Sequence, residues 1–430
     1  MLPTNKSQAV TYQTGQTLTY IRNAKQILCM SGDANNDIGL LTNASILIFG
    51  EQIAFIGPTS EAEKQLQLLL SSHPEVQPSI LDASEKIVLP GFIDCHTHVT
   101  FGGSRVRAYT VGLTDSRPEA LLEQGIPSGI YASVNMTLAL SKEEIKAQTK
   151  RRLQNMLRGG TTTVEAKSGY GLTPDAEYML LSINRALQAE LPMDIFSTFL
   201  GAHGWTQGMD KSRYIQQLCE EMIPHIAEAK LALYNDVWCD EGHFTAKESE
   251  QILTAGLVYG LRPRIHTDAY SYIGGSDLAA SMHMLSADHL NYTPPHLYKR
   301  LANAGVTGVL LVGTDFAVQH PKPTNARPML EAGMNLALAT NCCPGCWCES
   351  MIFILTLACR EHQFSPAEAL RASTRGAAMA MELSDRGELA QGKLADLLIL
   401  DTERYENIVY QYGANLIQTV IKRGKVVVQN

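Results

Sequence analysis

The chain has 430 residues, 45% of them hydrophobic and 18% charged, which allows a large core and two structural units. A formal net charge of -8 gives no basis for a nucleic-acid partner, and no apolar run reaches membrane-spanning length. Nine cysteines and no export pattern at Met1 favour reduced thiols, so a cytoplasmic protein is expected.

Residues 1–15 are polar and aperiodic and read as a loose tail. Between Thr17 and Ser84 come short strand-like runs, TLTYIRNAKQILCM, ASILIFG and QIAFIG, then a helical stretch around Ser60–Ser71. At the far end ADLLILD and TVIKRGKVVVQN again read as strands. Strands at both termini flanking an α/β middle predict a small β-sandwich domain built from residues 16–85 and 383–430.

Residues 86–382 alternate apolar strand-like runs with amphipathic helices. TTTVEAKSGYG precedes DAEYMLLSINRALQAE, and DVWCDEG precedes KESEQILTAGLVYG. Repeated βα units predict a (β/α)8 TIM-like barrel with its polar residues at the C-terminal strand ends. A doubly wound open sheet competes, but no glycine-rich phosphate fingerprint follows its first strand.

The barrel run opens with PGFIDCHTH, Pro90 to His98. Residues two apart on a strand share a face, so His96 and His98 project together and can hold one divalent metal. Other strand ends carry Arg105, Lys167, Tyr170, His203, Asp236 to Glu241, His266, His289 and Asn341. A single strand-end histidine is more often a satisfied hydrogen-bonding group than a ligand. Five at one barrel mouth call for a common cause.

The segments PGFIDCHTHVTFGGSR, GTTTVEAKSGYGLT, TFLGAH, SADHLNYT and YQYGANLIQTVIKRGKVV resemble imidazolonepropionase, in the metal-dependent amidohydrolase superfamily. The resemblance implies opening of the imidazolone propanoate ring of histidine breakdown by a homodimer acting on a small molecule. It implies one divalent metal, zinc or iron, on His96, His98 and His266. It also implies substrate contacts from Arg105, Tyr170 and His203, with Arg105 on the propanoate, and polarisation of the reacting group by His289. Ala269 and Gly345 occupy further substrate positions.

Two positions depart from the family. Its last ligand-bearing strand ends Asp-Phe-Asn-Pro-Gly, and here the run is Asn341-Cys342-Cys343-Pro344-Gly345. Asn341 cannot act as a base. A glutamate that hydrogen-bonds the family's substrate ring is replaced by Ala269.

Three explanations compete. The first is a ligand-binding relative without catalysis. The second is a metal or iron–sulfur site on Cys342, Cys343, Cys346 and Cys348, although no second ligand pair is evident. The third is thiolate chemistry on a 2-thioxo-imidazolidinone propanoate, as in degradation of an ergothioneine-type thiol. There Cys343, or else Cys346, would attack with a lowered pKa, release sulfide and leave the hydantoin propanoate. The sequence favours this third explanation, with ordinary ring opening as the alternative. Cys29, Cys219 and Cys359 read as small buried hydrophobes.

Overall fold

A computed structural model describes residues 11–13, 15–32, 37–115, 117 and 119–430. The expected tail falls, for residues 1–10 and 14, outside the described residues.

Among the described residues eight parallel strands follow one another in chain order. They are β1 (Phe92–Thr97), β2 (Thr161–Lys167), β3 (Asp194–Ala202), β4 (Tyr234–Cys239), β5 (Arg262–Thr267), β6 (Ser286–His289), β7 (Thr307–Leu310) and β8 (Leu336–Leu338). Helices such as Lys142–Arg158, Pro174–Glu190 and Ala246–Val258 make the crossovers. The ring is nearly closed at the C-terminal ends. Asn341 N–H donates to the His96 carbonyl at 3.1 Å, and His98 N–H to the Cys342 carbonyl at 3.0 Å. Thr340 completes the seam through its hydroxyl, 2.6 Å from Asp94 Oδ2.

Parallel strands buried on both faces should be almost wholly apolar. All seven residues of β2 are buried, yet they include Glu165 and Lys167. A charged layer therefore lies inside the barrel, and it supports the histidines above.

The chain divides by contacts into one unit of residues 94–156 and 163–350, and another of residues up to 93, 157–162 and 351–430. The second unit holds a mixed sheet from both chain ends. Its hydrogen-bonded order is 425–429, 417–422, 397–400, 87–90, 18–28, 40–49 and 52–58, with 79–82 also against 18–28. Ile21, Ile27, Ile46, Val88, Leu397 and Ile421 form its buried core.

The sequence reading gave residues 86–382 to the barrel, but Ile87–Pro90 pairs within this sheet, Leu89 opposite Leu398. The helices of 351–382 also group with it. Ile87–Ile93 reads as one apolar run because the break is Gly91 alone, where a Cβ would stand 2.3 Å from Thr162 Oγ1. No helix among the described residues is long and apolar enough to cross a membrane.

Candidate active site

His96 lies in the last two residues of β1 and His98 just past its end, His266 lies near the end of β5, and His289 ends β6. The His96 ring centroid lies 5.4 Å from that of His98, 4.4 Å from His266 and 6.0 Å from His289. Nε2 of His98 and Nε2 of His266 are 3.1 Å apart. His96, His266 and His289 each offer a donor atom within 4.8 Å of the others. The structure thus gathers the three predicted ligands and adds His289, which the sequence reading kept for polarising the reacting group.

These residues fit a divalent ion. His96 Nε2, His98 Nδ1 and Asn341 Oδ1 are buried without hydrogen-bond partners. Burial, aided by Lys167 and neighbouring imidazoles, holds the pKa of His96 well below its ordinary value. Burial does the same for His98 and His289. Neutral imidazole is the ligating form. Two nitrogens bound at ~2.0–2.1 Å in a tetrahedral site stand about 3.3 Å apart, close to the His98–His266 spacing.

Beneath the imidazoles lies a charged layer with no solvent exposure. Asp288 Oδ2 accepts from His96 Nδ1 at 2.6 Å and lies 3.4 Å from Arg264 Nη2. Lys167 Nζ donates to Glu165 Oε1 and Asp236 Oδ2, both at 2.7 Å. Asp236 Oδ1 accepts from the His266 backbone N–H at 3.2 Å. Its Oδ2 lies 3.0 Å from His266 Nδ1, off the line of a straight hydrogen bond. Burial would raise the Asp236 pKa, but His266 and Lys167 outweigh it and hold the carboxyl well below its usual range. The sequence reading listed Lys167 and Asp236 as strand-end residues and missed Asp288 and Arg264. The signal for Asp288 is a carboxylate next to His289 in the short strand Ser286–His289, whose first three residues are buried.

Above the histidines opens a cavity of about 330 Å³. Of the predicted substrate residues, Arg105, Tyr170, His203 and Gly345 line it, together with His289, Asn341, Cys343 and Cys346. A Cβ at Gly345 would sit 3.5 Å from Arg105 Nη1 and 4.0 Å from Cys343 Sγ, so the absent side chain leaves that corner open. His203 Nδ1 lies 3.1 Å from the Gly169 carbonyl, and its ring stacks on His98 at 4.8 Å. Tyr170 is buried, which keeps its phenol protonated as a donor. Trp238, Tyr270 and Thr314 also line the cavity and were not predicted.

Two expectations are corrected. Ala269 does not line the cavity: it is buried, and its carbonyl faces His320 Nε2 at 3.0 Å. Its neighbour Tyr270 takes that wall. Burial works against the lowered pKa that the cysteine mechanism asks of the thiols. Burial pushes Cys343 up, only partly offset by backbone N–H groups of Cys346 and Gly345 and by Arg105. Burial pushes Cys346 and Cys342 well above the ordinary thiol value. Nor do the cysteines converge on one ion. Cys346 Sγ faces the Thr340 carbonyl and Cys348 Sγ the Ser350 carbonyl, and the donor group gathered among the described residues is histidine alone. All nine cysteines are free.

A nearly closed βα barrel that gathers buried imidazoles at its C-terminal mouth has the donor set of an enzyme site able to hold a divalent ion. The amidohydrolase family is matched over residues 87–235 and 244–427. An imidazolonepropionase of Shouchella clausii is 38% identical over 426 residues, 96% of this chain and 93% of its own. One from Haloarcula marismortui is 35% identical over 386 residues, 90% of each chain. Among solved structures, a triazine hydrolase variant aligns with a TM-score of 0.74 at 18% identity, over 96% of this chain and 95% of its own. A zinc-bound adenosine deaminase of Xanthomonas campestris aligns at 0.71 and 17%, over 95% of this chain and 92% of its own. The chain belongs to the amidohydrolase family and is an imidazolonepropionase-like hydrolase.

Proposed function

We propose that this chain hydrolyses a five-membered imidazolone-type ring bearing a propanoate arm. The observation that carries the proposal is one cavity that sets the Arg105 guanidinium on its wall and neutral imidazoles at its base. Arg105 supplies the fork that a carboxylate arm fits. Tyr170 and His203 present polar edges to the ring. A divalent ion held by His96, His98 and His266 would lower the pKa of water and polarise the ring carbonyl.

The relatives' name supports C–N ring opening of 4-imidazolone-5-propanoate to N-formimidoyl-glutamate, and this is the first reading. Asn341 cannot take the proton of the attacking water. Its Nδ2 donates to Thr314 Oγ1 at 2.8 Å. His289, neutral and on the cavity wall, is then the proton acceptor.

The same two observations, Asn341 and the thiols of Cys343 and Cys346 on one wall, favour a second reading. In it the ring is 3-(5-oxo-2-thioxoimidazolidin-4-yl)propanoate. Cys343 sulfur adds to C2, hydrosulfide leaves, and water then displaces the thiol. The net change exchanges the thioxo sulfur for oxygen and releases one sulfide per water consumed.

One experiment tests both. Purified protein is given each ring separately, with loss of imidazolone absorbance and release of sulfide followed in parallel. Ring opening without sulfide release supports the first reading, and sulfide release supports the second. Turnover of neither ring removes the proposal.

A further inference from the structure

Two imidazoles at the candidate metal centre are each backed by a buried carboxylate, and one lysine links those carboxylates. His96 Nδ1 is hydrogen-bonded to Asp288 Oδ2 at 2.6 Å, and His266 Nδ1 lies 3.0 Å from Asp236 Oδ2, an ion-pair contact that a small ring rotation would turn into a straight hydrogen bond. Lys167 Nζ is 2.7 Å from Asp236 Oδ2 and 4.0 Å from Asp288 Oδ2. All three charged groups have no solvent exposure. Register makes the arrangement possible: His266 stands opposite Asp288 across β5 and β6 and opposite Trp238 across β5 and β4.

An imidazole that gives its Nδ1 proton to a carboxylate must keep its lone pair on Nε2. The Nε2 atoms of His96 and His266 are the ones turned to the centre: His96 Nε2 is buried without a partner, and His266 Nε2 meets that of His98. Glu165, Asp236 and Asp288 meet the cations Lys167 and Arg264 in this layer. Burial works against the negative charge of Asp288, whose Oδ1 has no hydrogen-bond partner, while Arg264 and Lys167 support it. A divalent cation bound just above would balance it. Asn341 brings no charge to the centre, so the negative charge has to come from below.

We infer that Asp288 and Asp236 are positioning residues. They fix His96 and His266 as Nδ1–H tautomers and supply the negative charge that a directly ligating aspartate would give. The inference rests on the metal-dependent hydrolase reading but on neither ring substrate.

The full chain, as wild type, Asp288→Asn and Asp236→Asn, is stripped with a chelator and titrated with zinc(II) against a competing chromophoric chelator. Loss of either carboxylate should weaken zinc(II) binding about 10–100-fold. An unchanged affinity in both folded variants overturns the inference. Should a variant fail to fold, 15N-histidine NMR of the metal-free wild type decides: His96 and His266 must appear as Nδ1–H tautomers, and Nε2–H forms overturn it. Because no substrate enters these measurements, failure of both rings to react would remove the substrate proposal alone. Ring turnover with unchanged zinc(II) affinity would remove this inference alone.

Discussion

His98 and His266 meet Nε2 to Nε2 at 3.1 Å, although they lie 168 residues apart in the chain. Two such nitrogens at that distance share either a proton or an ion. Both rings are buried, and burial holds His98 in the neutral form whose lone pair an ion can take. Chelation should therefore abolish hydrolysis and lower the melting temperature, and added zinc(II) should restore both. An ion at 100 times its Kd contributes about 2.7 kcal/mol, a shift that a thermal melt resolves. Elemental analysis should find His98→Ala and His266→Ala depleted of metal.

Arg105 is the cation on the cavity wall beside Gly345. Arg105→Gln should raise KM for a propanoate-bearing ring by one to two orders of magnitude, with kcat changed less. Loss of one charge-assisted bidentate contact removes about 1.5–3 kcal/mol of binding. An analogue ring without the arm should bind wild type and variant alike, as isothermal titration would show.

The thiols discriminate between chemistries. Under the first reading, Cys343→Ser and Cys346→Ser keep ring-opening kcat within a few-fold of wild type. Under the second, Cys343→Ser lowers the rate of sulfide release by several orders of magnitude with KM little changed. Steady-state assays of both variants on both rings separate the two.

Glu177 anchors the turn that presents Tyr170. Its carboxylate accepts backbone N–H bonds from Gly169 at 2.9 Å, Gly171 at 2.7 Å and Leu172 at 2.8 Å. At Gly171 a Cβ would lie 2.7 Å from the Glu177 backbone nitrogen, so no other residue fits this close approach. Glu177→Gln replaces one acceptor oxygen with an NH2 group facing those donors. It should cost about 1–3 kcal/mol in urea unfolding and raise KM through displacement of Tyr170.

His243 stacks on Trp238, their ring centroids 3.4 Å apart, and burial lowers its pKa to about 4 despite the opposing pull of Asp240. Between pH ~6.5 and that value the unfolded chain binds more protons at this site than the folded one. Its stabilising contribution is complete above the unfolded pKa and declines as pH falls towards the folded one. Urea midpoints measured from neutral pH downward should fall less steeply for His243→Gln than for wild type.

The local arrangement of β1 was legible from PGFIDCHTH, because strand period and terminal position need only neighbouring residues. Tyr170, His203 and Arg105 were legible in the same way, as strand-end polar groups of successive βα units. The split at Gly91 was not. An apolar run reads alike whether its residues face one core or two, and the crowding against Thr162 appears only in three dimensions. Ala269 was misplaced because one residue along the β5–α loop decides which side chain meets the cavity, and there it is Tyr270.

By itself, then, the sequence determined the barrel, the sheet shared by the chain ends, and the histidines that converge, since periodicity and strand ends are written locally. Only the tertiary structure decided that Asp288 backs His96 and that Lys167 joins carboxylates from separate strands, because such pairing depends on register between distant segments. It also decided the state of the thiols. A cysteine's pKa follows its burial and its neighbours, and at Cys343 burial outweighs the nearby guanidinium and backbone N–H groups.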